Sequence, residues 1–174
     1  YRLYETTEKV VDGVRVARAR YLALPGLDTL TRSFTASVSA LRHTLSEGIE
    51  IVHSFDPLPT TVLAGYLTTK IKSLPWILDA GDYAAAYTEG LNFFKREATI
   101  RTERFAYRNA AASTVVSHFL VQKAGEFGAK VISLLPNGVN LALFEEKRKR
   151  ARKKRGKIVY VGTLKKFVDL ENLL

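Results

Sequence analysis

The 174-residue chain is 47% apolar and 25% charged, enough to bury one substantial core with the make-up of a globular protein. It has no cysteine, which excludes disulfides, thiolate zinc sites and cysteine nucleophiles. Of the net charge of +10, eight positive charges sit in the run Lys147 to Arg155, offset in part by Glu145 and Glu146; about +4 is left elsewhere, too little for a whole-surface nucleic-acid binder.

Residues 14–24 alternate apolar and basic positions before Pro25-Gly26, which predicts a strand with one face exposed. Leu30, Phe34, Val38, Leu41 and Leu45 recur at spacings of three and four, the inner stripe of an amphipathic helix that Gly48 stops. A short strand over 49–53 leads into the loop Ser54-Phe55-Asp56-Pro57-Leu58-Pro59. A helix over 60–72 follows, with Val62, Leu63, Tyr66, Leu67 and Ile71 inward. Trp76-Ile77-Leu78 reads as a strand that turns away at Asp79-Ala80-Gly81-Asp82. A long helix spans about 92–110, with Arg and Glu on its wet side. Ser113–Val116 is a strand, Ser117 caps a helix over 118–127, Gly128 stops it, and Val131–Leu135 is the next strand. Strands and helices alternating through short loops predict an α/β fold: a Rossmann-like parallel sheet with helices on both faces.

Such sheets bind ligands beyond the carboxyl ends of their strands, so function is expected in the loops 53–60, 79–90, 117–118, 136–140 and 162–166. The longest apolar runs fall far short of the roughly 20 residues of a membrane span. Tyr1-Arg2-Leu3-Tyr4-Glu5 has no apolar core, so no signal peptide is expected, and a cytoplasmic location fits. Methionine is absent even at position 1, which leads us to expect an incomplete reading frame. The dearth of Cys, Met and Gln beside abundant Lys and Arg leans towards a thermophilic source.

The end of the chain is its most informative part. Pro136-Asn137-Gly138 forces a strand out of its sheet, since Pro cannot donate to the ladder and Asn-Gly accepts positive φ. A basic stretch then precedes a second strand, Lys157-Ile158-Val159-Tyr160-Val161, and a helix-like segment over 167–174. The residues P-N-G-V-N-x-x-x-F, followed by Y-V-G-x-L, resemble the domain junction of two-domain GT-B glycosyltransferases, specifically the large retaining family 4. The resemblance runs from about residue 10 to 174.

That resemblance implies an acceptor domain over 1–144 lacking its first strand-helix-strand unit. It also implies a basic linker over 145–156 and the start of a donor-binding domain over 157–174. It implies transfer of a sugar from a nucleotide-sugar to an acceptor hydroxyl with retention, without cofactor or obligatory metal. His53 and Asp56 fall in a loop that resembles the family's H-S-x-x-P segment on the acceptor side. Asp79 and Asp82 occupy the slot where many members carry a histidine, which this chain lacks, and either carboxylate could accept a hydrogen bond from an acceptor hydroxyl. Gly162, Thr163, Lys165 and Lys166 match the loop that holds the donor diphosphate, with Thr163 where the family usually has Arg. No residue is assigned as catalytic. The run 147–155 is a solvated linker or docks to an anionic membrane surface, which would suit a lipid-linked acceptor; nucleic acid is not the expected partner. Two rivals stay open: an enzyme resembling nucleotide-sugar epimerases, and a non-enzymatic basic module binding nucleic acid or membrane.

Overall fold

The computed structural model describes residues 7–19, 24, 26–46, 48–88, 93–142, 159 and 161. The basic run 147–155, the donor-loop residues Gly162, Thr163, Lys165 and Lys166, and the helix expected over 167–174 lie outside the described residues, as does most of the strand expected over 157–161. The chain divides into two compact units, residues 1–137 and 138–174.

Two strands, β1 (Thr7–Val11) and β2 (Val14–Arg18), pair as an antiparallel hairpin. Asp12 and Gly13 both have positive φ, as the tight two-residue turn of a twisted hairpin requires. Next come α1 (Asp28–Ser46), β3 (Val52–Phe55), α2 (Pro59–Lys72) and β4 (Trp76–Ala80). A 3-10 turn (Ala84–Thr88) leads to α3 (Phe93–Asn109), β5 (Ala112–Val115), α4 (His118–Glu126) and β6 (Ile132–Leu134). The four strands β3 to β6 form one parallel sheet in the order β3-β4-β5-β6, with Val52 opposite Trp76 and Leu78 opposite Ser113. The α/β class and the helix-flanked parallel sheet are those expected from the sequence; among the described residues the helices that join these strands gather on one face of it.

Handedness decides where the helices go. Each crossover steps one strand in the same direction, and parallel crossovers are right-handed almost without exception. Therefore α2, α3 and α4 must all lie on one face. The core bears this out: Trp76, Leu78 and Ala80 of β4 and Val115 of β5 pack with Val62 of α2, Ala106 and Tyr107 of α3, and Leu120 and Ala124 of α4. The opposite face carries His53, Phe55, Ile77, Asp79, Ala112 and Thr114, all half-buried or exposed.

Several sequence expectations change in detail. The strand expected over 14–24 is five residues long, all exposed, and belongs to a hairpin whose first strand the alternation did not reveal. The apolar stripe of α1 faces outward: Leu30, Phe34, Val38 and Leu45 are each more than half exposed, while Ser33, Ser37 and Thr44 are buried. In α2, Val62 is buried as expected, but Leu63, Leu67 and Ile71 are exposed, and Gly65, Thr68 and Thr69 are buried instead. The reason is that α1 packs chiefly along α2, through small side chains. Most of their hydroxyls are satisfied within their own helices: Ser33 donates to the Thr29 carbonyl, Ser37 to that of Ser33, Thr44 to that of Ala40 and Thr69 to that of Gly65, while Thr68 Oγ1 is buried without a hydrogen-bond partner among the described residues. Small residues with internally satisfied hydroxyls let two helices approach closely without stranding polar atoms.

The tightest approach is that of α2 to the sheet. A Cβ on Gly65 would lie 2.6 Å from Ser54 Oγ and 2.7 Å from Trp76 Nε1. That indole N–H donates to Ser54 Oγ at 3.0 Å, so a methyl group would strike a buried hydrogen bond. Gly65→Ala is expected to destabilise the domain by about 1–3 kcal/mol, the usual cost of overpacking, in chemical denaturation. Trp76 is the chain's single tryptophan, so its emission should shift as the bond is disturbed. An unchanged midpoint with unchanged emission would contradict this packing.

Candidate functional site

The carboxyl ends of β3, β4 and β5 carry the loops that could meet a ligand. Asp56 ends β3 at φ 57°, a left-handed conformation unusual for a side chain larger than glycine but tolerated by Asp. Three bonds hold it there. Its N–H donates to the Asp79 carbonyl at 2.7 Å, the Asp56 carbonyl accepts from Thr61 Oγ1 at 2.5 Å, and Asp56 Oδ1 accepts from Gly81 N–H at 2.9 Å. Asp56 therefore ties the loop after β3 to the turn after β4, with Pro57 fully buried beneath. Asp82 is exposed on that turn, and the next residue, Tyr83, sets its ring edge-to-face against Phe119 of α4 at 5.8 Å.

The same turn is held from below by α3. Ala84 N–H donates to Glu103 Oε1 at 2.9 Å, and Glu103 is only 1% exposed. Burial pushes its carboxyl up to about 7 from an ordinary 4.5; the N–H groups of Ala84 and Ala85 pull the other way, and the Asp56 carboxylate adds to the rise. Desolvation outweighs two backbone hydrogen bonds here. Burial likewise raises the Tyr107 phenol, one helical turn on, with the charges of Glu103 and Asp56 adding to it.

His53 and Asp79 sit elsewhere. The loop expected to begin at His53 begins after Phe55, and His53 lies within β3. Asp79 lies within β4 rather than in the turn after it. Both side chains fall on the sheet face away from α2, α3 and α4, where His53 Nε2 approaches Asp79 Oδ2 to 4.0 Å. Asp79 Oδ1 accepts from Thr114 Oγ1 of β5 at 2.7 Å, a cross-strand tie between neighbours in register. The four acceptor candidates thus fall into two pairs, Asp56 with Asp82 on adjoining loops and His53 with Asp79 on the open sheet face. Ser117 is the N-cap of α4, accepting from Leu120 N–H at 3.3 Å. No cluster of metal-ligating side chains occurs among the described residues.

Sequence reasoning placed Glu103 on the wet side of its helix. A signal was available: Glu103 stands three residues after Ile100 and three and four before Ala106 and Tyr107, on the apolar stripe.

Asp56→Ala removes the tie to Gly81 and the polar side chain that lets this position tolerate left-handed backbone. We expect a loss of about 1–3 kcal/mol in denaturant unfolding, with faster amide exchange at Gly81. Asp56→Asn keeps an acceptor oxygen and tolerates the conformation, so it should lose less than half as much. Equal losses would show that the tie does not matter.

A search for similar curated proteins gave no match. A family model described as a glycosyl transferase 4-like domain matches residues 2–138, nearly the whole of the first compact unit. With its parallel sheet, and with its polar loops gathered at the carboxyl ends of the strands, the chain belongs to the glycosyl transferase 4-like domain family.

Proposed function

We propose that this domain binds the acceptor of a retaining glycosyltransferase that takes its sugar from a nucleotide-sugar. The observation that carries the reading is the tied pair of loops 56–58 and 81–84, inside the stretch that matches the family, with Asp82 exposed between two anchored positions. A carboxylate on a fixed turn suits an acceptor hydroxyl, because it accepts the hydroxyl hydrogen without paying to order a free loop. His53 and Asp79, on the open sheet face beside β3, would contact a more remote part of the acceptor.

Donor binding is assigned to Gly162, Thr163, Lys165 and Lys166. The lysines would neutralise the diphosphate as negative charge gathers on the departing nucleotide. No metal or further cofactor is called for. Eight basic residues at 147–155 would hold the enzyme against an anionic membrane at about 1 kcal/mol each, which favours a lipid-linked acceptor over a free sugar. No helix among the described residues is long and apolar enough to cross a membrane.

The test is nucleotide release by the full-length protein across a panel of nucleotide-sugars, with and without a lipid-linked acceptor extract. Release with one donor, stimulated by the extract, is expected. Asp82→Asn should then raise the acceptor KM about tenfold, the worth of one charge-assisted hydrogen bond, and leave the donor KM unchanged. Folded protein that releases nucleotide from no donor would end this reading.

A further inference from the structure

The turn after β4 is held at both ends by buried or half-buried carboxylates from two different elements. Asp56 takes Gly81 N–H from the side of β3, and Glu103 takes Ala84 N–H from α3. Between these two anchors stand only Asp82 and Tyr83. Glu103 has no structural need to be ionisable, since a glutamine would present the same carbonyl oxygen to Ala84. Its second oxygen, Oε2, is buried with no hydrogen-bond partner. An orphaned acidic oxygen in a 1%-exposed side chain is costly. The groups that face it among the described residues are the Asp56 carboxylate from the loop after β3 and the Tyr107 phenol from its own helix.

We propose that Asp56 and Glu103 form a clasp on the turn 81–84, in which Glu103 is a positioning residue that sets Asp82 for the acceptor and releases the turn when it loses its proton. The role in acceptor binding rests on the proposed function above; the clasp itself does not. The sign follows from linkage. With a folded-state value of about 7 against 4.5 when hydrated, the clasped state holds a proton that the open state gives up. Clasping is therefore fully favoured below about pH 4.5 and is lost as the pH rises through about 7. At the upper end an ionised Glu103 faces the Asp56 charge with one oxygen unsolvated.

Amide hydrogen exchange at Ala84 and Ala85, corrected for the intrinsic pH dependence, reads the clasp directly in the full-length protein from pH 5.5 to 8.5. In the wild type, protection should fall about tenfold or more across that range, as expected for a group whose value shifts by more than one pH unit. Glu103→Gln should keep protection high and flat with pH, and Glu103→Ala should lose it at every pH. In transfer assays, Glu103→Ala should raise the acceptor KM several-fold with the donor KM unchanged, and Glu103→Gln should restore it and flatten the pH profile. Protection that is independent of pH in the wild type, or equal in the wild type and Glu103→Gln, would overturn the switch. Should Glu103→Ala fail to fold, that comparison still decides. Proton-dependent protection in a protein that releases no nucleotide would keep the clasp and dismiss the transfer reading.

Discussion

Right-handed crossovers, repeated in one direction across the sheet, set most of what this domain can be. Once β3, β4, β5 and β6 lie side by side in chain order, three connecting helices have no choice of side. They bury Trp76, Leu78, Ala80 and Val115 on one face and leave His53, Phe55, Asp79 and Thr114 on the other. The same constraint brings the turns after β3, β4 and β5 to one end of the sheet, where carboxylates from separate elements can reach one another's backbone. Site and core are two products of a single topological rule.

At that end, backbone N–H groups do the binding and carboxylates accept. Asp56 accepts from Gly81, and Glu103 accepts from Ala84. Neither contact is an ion pair, so neither gains from a full opposite charge, and for Glu103 the loss of water wins over the hydrogen bonds it makes. Asp56 bears a different cost, a left-handed backbone that is held by three bonds. Costs of this kind concentrate where geometry serves something beyond folding.

The periodic elements were legible in the sequence because spacing and breakers agree on them: α1 from its three-four stripe, α4 from Ser117 and Gly128, and β4 from Trp76-Ile77-Leu78. Direction was less legible. The stripe of Leu30, Phe34, Val38 and Leu45 says that α1 is amphipathic, but Ser33 and Ser37 are what it buries, because closeness between helices depends on size as much as on polarity. Strand ends were also short by a residue or two: β3 runs on past His53 to Phe55, and β4 takes in Asp79, which was expected in the turn. Glu103 was hidden for a third reason. A charged residue on a helix reads as solvated until the turn it serves, whose Ala84 lies 19 residues earlier, is folded over it. Asp56, by contrast, was singled out through its loop's resemblance to the family's H-S-x-x-P segment, and the structure gives it a partner that local sequence could not name.

The outward stripe of α1 has a practical side. Four large aliphatic and aromatic side chains, each more than half in water, line one helix, and Ile51 and Phe55, just before β3 and at its end, are exposed as well. A surface of that kind adsorbs to apolar matrices and strengthens its hold as excluded salts raise the cost of wetting it. Purification on a phenyl resin would therefore retain this protein at salt concentrations that let its strongly basic segment pass a cation exchanger unbound. The two columns would sort the molecule by opposite ends of its chain.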